Sequence, residues 1–266
     1  MQLALGIEYL GAAFNGYQLQ THAPSVQQAL QAALSQVADQ PVTLQAAGRT
    51  DSGVHATGQV VSFHTSAQRS LDNWRRGANA LCADGLSVNW VEQVDDAFHP
   101  RYSAVSRRYM YLFHEADNPS PLLDGFAVRS RRLDDGAMHK AAQRLLGEHD
   151  FSSFRGAGCQ SRSPYRRMDR ITVDRTASLV IIDVQANAFL QHMVRNIAGV
   201  LWDIGQGKGD ADSLSQLLIA RDRTLAGATA PPQGLYLVDV HYPGYPFPKP
   251  PLPGLLRALG GLDRFS

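Results

Sequence analysis

The sequence predicts an α+β protein made of two similar halves, and three observations lead there. Short stretches of alternating polarity are interleaved with amphipathic helical stretches in residues 1–104. The same order of stretches returns in residues 105–266, and no segment between them is of low complexity. In each half the order is strand, helix, strand, strand, helix, strand, the βαββαβ arrangement of ferredoxin-like units. Two such sheets, mainly antiparallel and joined edge to edge, would leave a central cleft.

Each element has its own signal. Residues 3–9 alternate as a strand, a pattern unlike the basic-then-apolar layout of a signal peptide. Ser25 opens a helix, with Gln28 spaced to complete a capping box. Val26, Ala29, Leu30, Ala33, Leu34 and Val37 share one apolar face of that helix, and Pro41 follows its end. Strands are expected at 42–47 and 59–64, a helix over 72–81 and a strand over 86–94. The boundary falls near 98–105. The second half opens with a strand over 106–114 that sets Tyr109, Tyr111 and Phe113 on one face. A helix over 134–146 directs Met138, Ala141, Ala142 and Leu145 inward and stops at Gly147. Strands follow at 170–176 and 179–187, then a long apolar helix over 189–205, a short helix over 212–220 and a closing strand over 234–240. The proline-rich stretch 242–253 reads as extended packing or a peripheral arm.

Composition excludes several classes of protein. Apolar residues make up 44% and charged residues 18%, the balance of an ordinary globular chain. No apolar run approaches the roughly 20 residues that span a bilayer. Two cysteines, Cys82 and Cys159, supply neither a disulfide framework nor a cysteine metal site, and they point to a reducing cytoplasm. No histidine pair has metal-ligand spacing. Formal net charge is +1, but the cations are almost all arginine, with only Lys140, Lys208 and Lys249 as lysines. Arginine's planar fork suits phosphate and stacks on bases. Arg155, Arg162, Arg166, Arg167, Arg170 and Arg175 crowd one stretch opposed there only by Asp169 and Asp174, which makes it a candidate phosphate-contacting loop or a solvated one.

The chemistry concentrates in three places. The glycine-rich loop 48–58 carries Arg49, Thr50, Asp51, Ser52 and His55. Taken alone, Asp51 reads first as a turn residue bonding its own backbone. Asp51-Ser52-Gly53 is also the core triplet of aspartic proteases, but their dyad needs a second such triplet, and none occurs. Ser52 lacks the frame of a nucleophile elbow. Tyr109 follows Arg107 and Arg108, so phosphate contact beside base stacking competes with simple core packing of the aromatics. On the long helix, His192, Arg195, Asn196 and Gly199 form a narrow polar face, and a buried Arg195 would call for a carboxylate such as Asp51.

Together these pieces resemble the tRNA pseudouridine synthase A family. The likeness rests on Gly48-Arg49-Thr50-Asp51-Ser52-Gly53-Val54-His55-Ala56-Thr57-Gly58-Gln59-Val60, Arg107-Arg108-Tyr109-Met110-Tyr111, Asp150-Phe151-Ser152-Ser153-Phe154-Arg155, the run from Asn187 to Ile197, and Gly234-Leu235-Tyr236-Leu237. They occur in the family's order and span nearly the whole chain. Ser52, Tyr17 and Met110 depart from the family's usual residues, and the stretch 80–85 lacks its usual Leu-Pro. The resemblance implies the pseudouridine synthase fold and a cytoplasmic homodimer that cradles the anticodon arm of tRNA. It implies isomerisation of uridine to pseudouridine at positions 38–40 with no metal or organic cofactor. It makes Asp51 the nucleophile, Tyr109 the residue stacked on the target base, and Arg195 the partner of Asp51. Arg49 would help open or occupy the base stack. Arg155, Arg162, Arg166 and Arg167 are the further expected tRNA contacts. Attack on the sugar, a glycal route and attack on the base all remain open. The rival readings are a non-catalytic RNA-binding module and, more remotely, a dimeric aspartic protease.

Overall fold

The computed structural model describes residues 1–259, the last by its backbone alone. Residues 260–266, the end of the second expected half, lie outside the described residues. The chain is α+β and divides into two compact units, one of Met1–Val105 with the segment from Tyr236 onward, the other of Ser106–Leu235.

In the first unit, β1 (Gln2–Tyr9) has Leu3, Leu5 and Ile7 on one face with no exposed surface. α1 (Val26–Ala38) is capped by the Ser25 hydroxyl, which accepts from the Gln28 N–H at 3.2 Å. The reciprocal bond from the Gln28 side chain is absent, so the expected capping box is half made. The strand expected over 42–47 shrinks to β2 (Gln45–Ala46). Side chains of α1 are the reason: Ser35 Oγ accepts the Val42 N–H at 3.0 Å and Gln31 Oε1 accepts that of Leu44 at 3.2 Å. With those donors satisfied, no sheet ladder is needed to bury Val42 and Leu44. β3 (His55–His64) starts earlier than expected, inside the glycine-rich motif. α2 (Leu71–Leu81) and β4 (Leu86–Val94) complete the first βαββαβ order. β1 lies between β3 and β4, antiparallel to both, and β2 is antiparallel to β3. Phe63 packs against Trp74 with ring centroids 5.3 Å apart, joining sheet to helix.

In the second unit, β5 (Ser106–Glu115) is flanked by the three-residue β6 (Val128–Ser130), parallel to it. α3 (Asp135–Ala142) is capped by Asp134 and tightens into a 3₁₀ turn through Leu145; Met138, Ala141, Ala142 and Leu145 are fully buried as expected. β7 (Gly147–Asp150), β8 (Tyr165–Thr176) and β9 (Leu179–Ala186) follow. The antiparallel order is β7-β8-β9-β5. α4 (Met193–Gly205) starts later than expected, because His192 occupies its N-cap in the left-handed region at φ 60°. α5 (Ala211–Ala220) closes the unit with a complete Asp210–Ser213 capping box.

β10 (Leu235–His241) runs parallel to β3, with Tyr236 opposite His55 and Leu237 opposite Ala56. This pairing groups the chain from Tyr236 onward with the first unit rather than with the half that precedes it in sequence. The proline-rich stretch after β10 is extended packing: Tyr242, Tyr245 and Phe247 surround Phe98, and Phe247 stacks on Trp90 at 4.7 Å. The short helix α6 (Gly254–Leu259) follows. No helix among the described residues is long and apolar enough to cross a membrane.

Candidate active site

The motif loop is shorter than the glycine spacing suggested, because His55 already belongs to β3. What remains, residues 47–54, is held from several directions. The Gly48 carbonyl accepts from Gln59 Nε2 at 2.8 Å. The buried Thr50 shares a hydroxyl hydrogen bond with Tyr9 at 2.8 Å, and its carbonyl accepts the Tyr17 N–H at 3.0 Å. The Val54 N–H returns to the Asp51 carbonyl at 3.2 Å, closing a turn in which Gly53 takes φ +79°. Below it, the Gly11 N–H donates to His55 Nδ1 at 3.1 Å, and the His55 ring stacks on Tyr236 at 4.7 Å.

Two glycines outside the motif let the backbone approach this closely. A Cβ on Gly11 would sit 2.4 Å from the Val54 carbonyl. One on Gly16, itself at φ +91°, would meet the Thr50 oxygen at 3.0 Å. Burial, and then the nearby Tyr9, push the Tyr17 hydroxyl far above the ordinary tyrosine range, so Tyr17 serves as a neutral wall. On this scaffold Asp51 is half-buried, while Arg49 and Ser52 are exposed. Gly11, Gly16, Tyr9 and Gln59 escaped the sequence reading, although a Gly-rich turn straight after a first strand was a usable signal.

The second unit carries the remaining expected residues. Tyr109 is half-buried on β5, whereas Tyr111 and Phe113 on the same face have no exposed surface. The Tyr109 ring meets Phe189 edge-on, with centroids 5.0 Å apart and planes at 82°. Burial raises the Tyr111 hydroxyl far above its ordinary pKa, against the pull of the nearby Arg195 charge. Arg195 is half-buried, and its Nε donates to the Ala230 carbonyl at 2.9 Å. The polar face of α4 is not open. Asn196 is fully buried and bonds the Phe154 carbonyl, Arg223 and Thr229, while a Cβ on Gly199 would strike the Ala228 carbonyl at 2.2 Å. Segment 223–230 therefore roofs that face and holds the backbone beneath Arg195.

The arginine-rich stretch is only partly a loop, since it enters β8 at Tyr165. Arg155 folds back and donates to the Cys159 and Ser161 carbonyls at 2.7 and 2.8 Å. Arg166 donates to the Ser163 carbonyl and the Ser161 hydroxyl. Arg167 pairs with Asp169 at 2.7 Å. Arg162 is exposed and has no partner among the described residues. Arg170 and Arg175, for which the stretch itself offered only Asp169 and Asp174, pair with Asp183 and with Asp135 and Glu115, carboxylates brought from elsewhere in the unit. Arg108 is likewise taken by Asp183, and Arg107 donates to the Asn187 carbonyl.

A family model described as tRNA pseudouridine synthase matches residues 6–103 and 141–243. The chain belongs to the tRNA pseudouridine synthase family. It is 51% identical over 254 residues to tRNA pseudouridine synthase A of Tolumonas auensis, covering 95% of this chain and 97% of that one. It is 49% identical over 259 residues to the protein of the same description from Escherichia coli, covering 97% and 96%. It is 48% identical over 251 residues to that of Shewanella frigidimarina, covering 94% and 96%. Membership brings the pseudouridine synthase fold and an isomerase activity on tRNA uridine. The readings as a non-catalytic RNA-binding module and as an aspartic protease give way to it.

Proposed function

We propose that this isomerase acts on the anticodon arm of tRNA, at positions 38–40, with Asp51 as its nucleophile. The observation that supports this most directly is the construction of the Asp51 loop. Hydrogen bonds at Gly48, Thr50 and Val54 fix the backbone, yet the carboxylate-bearing residue itself is left half-buried rather than packed away. A carboxylate residue on a fixed backbone, with part of its surface open, suits attack on a bound nucleotide.

The remaining roles follow the chemistry. A uridine must leave the helical stack before its glycosidic bond can be reached. Tyr109, partly exposed and steadied by Phe189, offers a ring face for the flipped uracil, where stacking contributes roughly 1–3 kcal/mol. On the sugar route the Asp51 carboxylate bonds C1′ as the bond to N1 breaks. The freed uracil turns, C5 bonds C1′ as the carboxylate leaves, and the C5 proton is lost. To Arg195 falls the role of cationic partner in that exchange. Arg49 assists in opening the stack, and Arg155, Arg162, Arg166 and Arg167 provide phosphate contacts. The working form is a cytoplasmic homodimer.

Asp51→Asn keeps shape and removes the nucleophile. Tritium release from carbon-5-labelled uridine in tRNA should fall by about 10³-fold or more, with tRNA affinity retained. Normal pseudouridine formation by that variant would sink the assignment of Asp51.

A further inference from the structure

We propose that the turn carrying Arg101 and Tyr102 is a base-stacking platform for the tRNA substrate, separate from the Asp51 loop. Tyr102 is 75% exposed, while Tyr9, Tyr17, Tyr111, Tyr236 and Tyr242 are nearly all interior. Its turn is nevertheless rigidly built. The His99 N–H donates to Ser103 Oγ at 3.0 Å and the Ser103 N–H to the His99 carbonyl at 2.9 Å. His99 Nδ1 accepts from the N–H groups of Arg101 and Tyr102 at 3.1 and 3.4 Å. The turn is anchored from inside as well: the Tyr242 hydroxyl donates to the Pro100 carbonyl at 2.6 Å, and Phe98 is buried among Tyr242, Tyr245 and Phe247.

Two groups flank the exposed ring. The His99 ring lies 4.3 Å away centroid to centroid, and the Arg101 guanidinium carbon is 5.6 Å from the ring centroid. An aromatic ring held in water contributes little to folding, so its fixed display calls for another reason. A preordered ring beside an arginine is the arrangement that holds single-stranded nucleic acid, the ring taking any base face and the guanidinium a phosphate. The turn's conformation is set before binding, which lowers the entropy lost on contact. The established substrate is a polyanion with unpaired bases, and it matches Arg101 in charge and Tyr102 in surface.

The platform rests on the tRNA substrate and not on the role of Asp51, because its test measures binding without turnover. Tyr102→Ala should weaken tRNA binding about tenfold and raise KM, with kcat at saturating tRNA and the unfolding midpoint unchanged. Tyr102→Trp should restore wild-type affinity. Arg101→Gln should weaken binding and reduce the slope of log affinity against log salt by about one. Wild-type tRNA affinity in Tyr102→Ala would overturn the proposal. So would a loss that tryptophan does not restore. A changed sedimentation coefficient with unchanged tRNA affinity would assign the turn to self-association instead, and would equally overturn it.

Discussion

Asp183 has no exposed surface, and two guanidinium groups face it. Arg108 grips both its oxygens, at 2.8 and 2.7 Å, and Arg170 reaches one at 3.2 Å. A buried carboxylate is tolerated only with such compensation, and removing one partner leaves a charge stranded in the interior. Arg108→Met should therefore lower unfolding stability by about 3–5 kcal/mol, read as a reduced urea midpoint at unchanged slope. A loss below about 1 kcal/mol would mean that Arg170 alone neutralises the aspartate. The same cluster explains why the sequence misled about Arg108. Its partner lies on β9, and spacing along one strand says nothing of what a neighbouring strand presents. Tyr109 was easier to place on a face by alternation. That it alone of the three aromatics keeps an exposed edge could not be read from the pattern.

At the scale of the element, the Asp51 loop is a tight assembly that depends on bare backbone. Gly11 abuts the Val54 carbonyl, so a methyl group there at 2.4 Å must displace one segment or the other. Gly48, in the same loop, has nothing within 4 Å of its Cβ position. Gly11→Ala should consequently lower kcat by about 100-fold, since a shift near 1 Å at a reacting group has that effect. Gly48→Ala should leave turnover near wild type, and equal losses from both variants would refute this account of the loop. The first helix was legible in part from its local cap, Ser25, which accepts from a backbone N–H three residues on; Ser70, Asp134 and Asp210 do the same for helices that the sequence showed without their caps. β6 and β7 were not, being three and four residues long with no sustained alternation. β2 faded because Ser35 and Gln31 captured the donors that a longer strand would have used.

For the molecule as a whole, 25 basic residues against 24 acidic ones leave a formal charge of +1, too little to draw a polyanion from a distance. Affinity for tRNA must then come from cations that the fold leaves unneutralised. Pairing across the chain removes many of them: Arg75, Arg108, Arg167, Arg170, Arg175 and Arg221 each face a carboxylate. The sequence showed the arginine excess but not this sorting, just as it could not show that β10 pairs with the distant β3. Arg162 is what the sorting leaves exposed in the arginine-rich stretch, whereas Arg167 already has Asp169 beside it. A phosphate that replaces water at Arg162 releases a condensed counterion; one that approaches Arg167 must first contend with a carboxylate. Arg162→Gln should thus reduce the salt slope of tRNA binding by about one between roughly 50 and 200 mM salt, and Arg167→Gln by clearly less. If the two variants flatten the slope equally, accessibility rather than pairing governs which arginines meet the backbone of the tRNA.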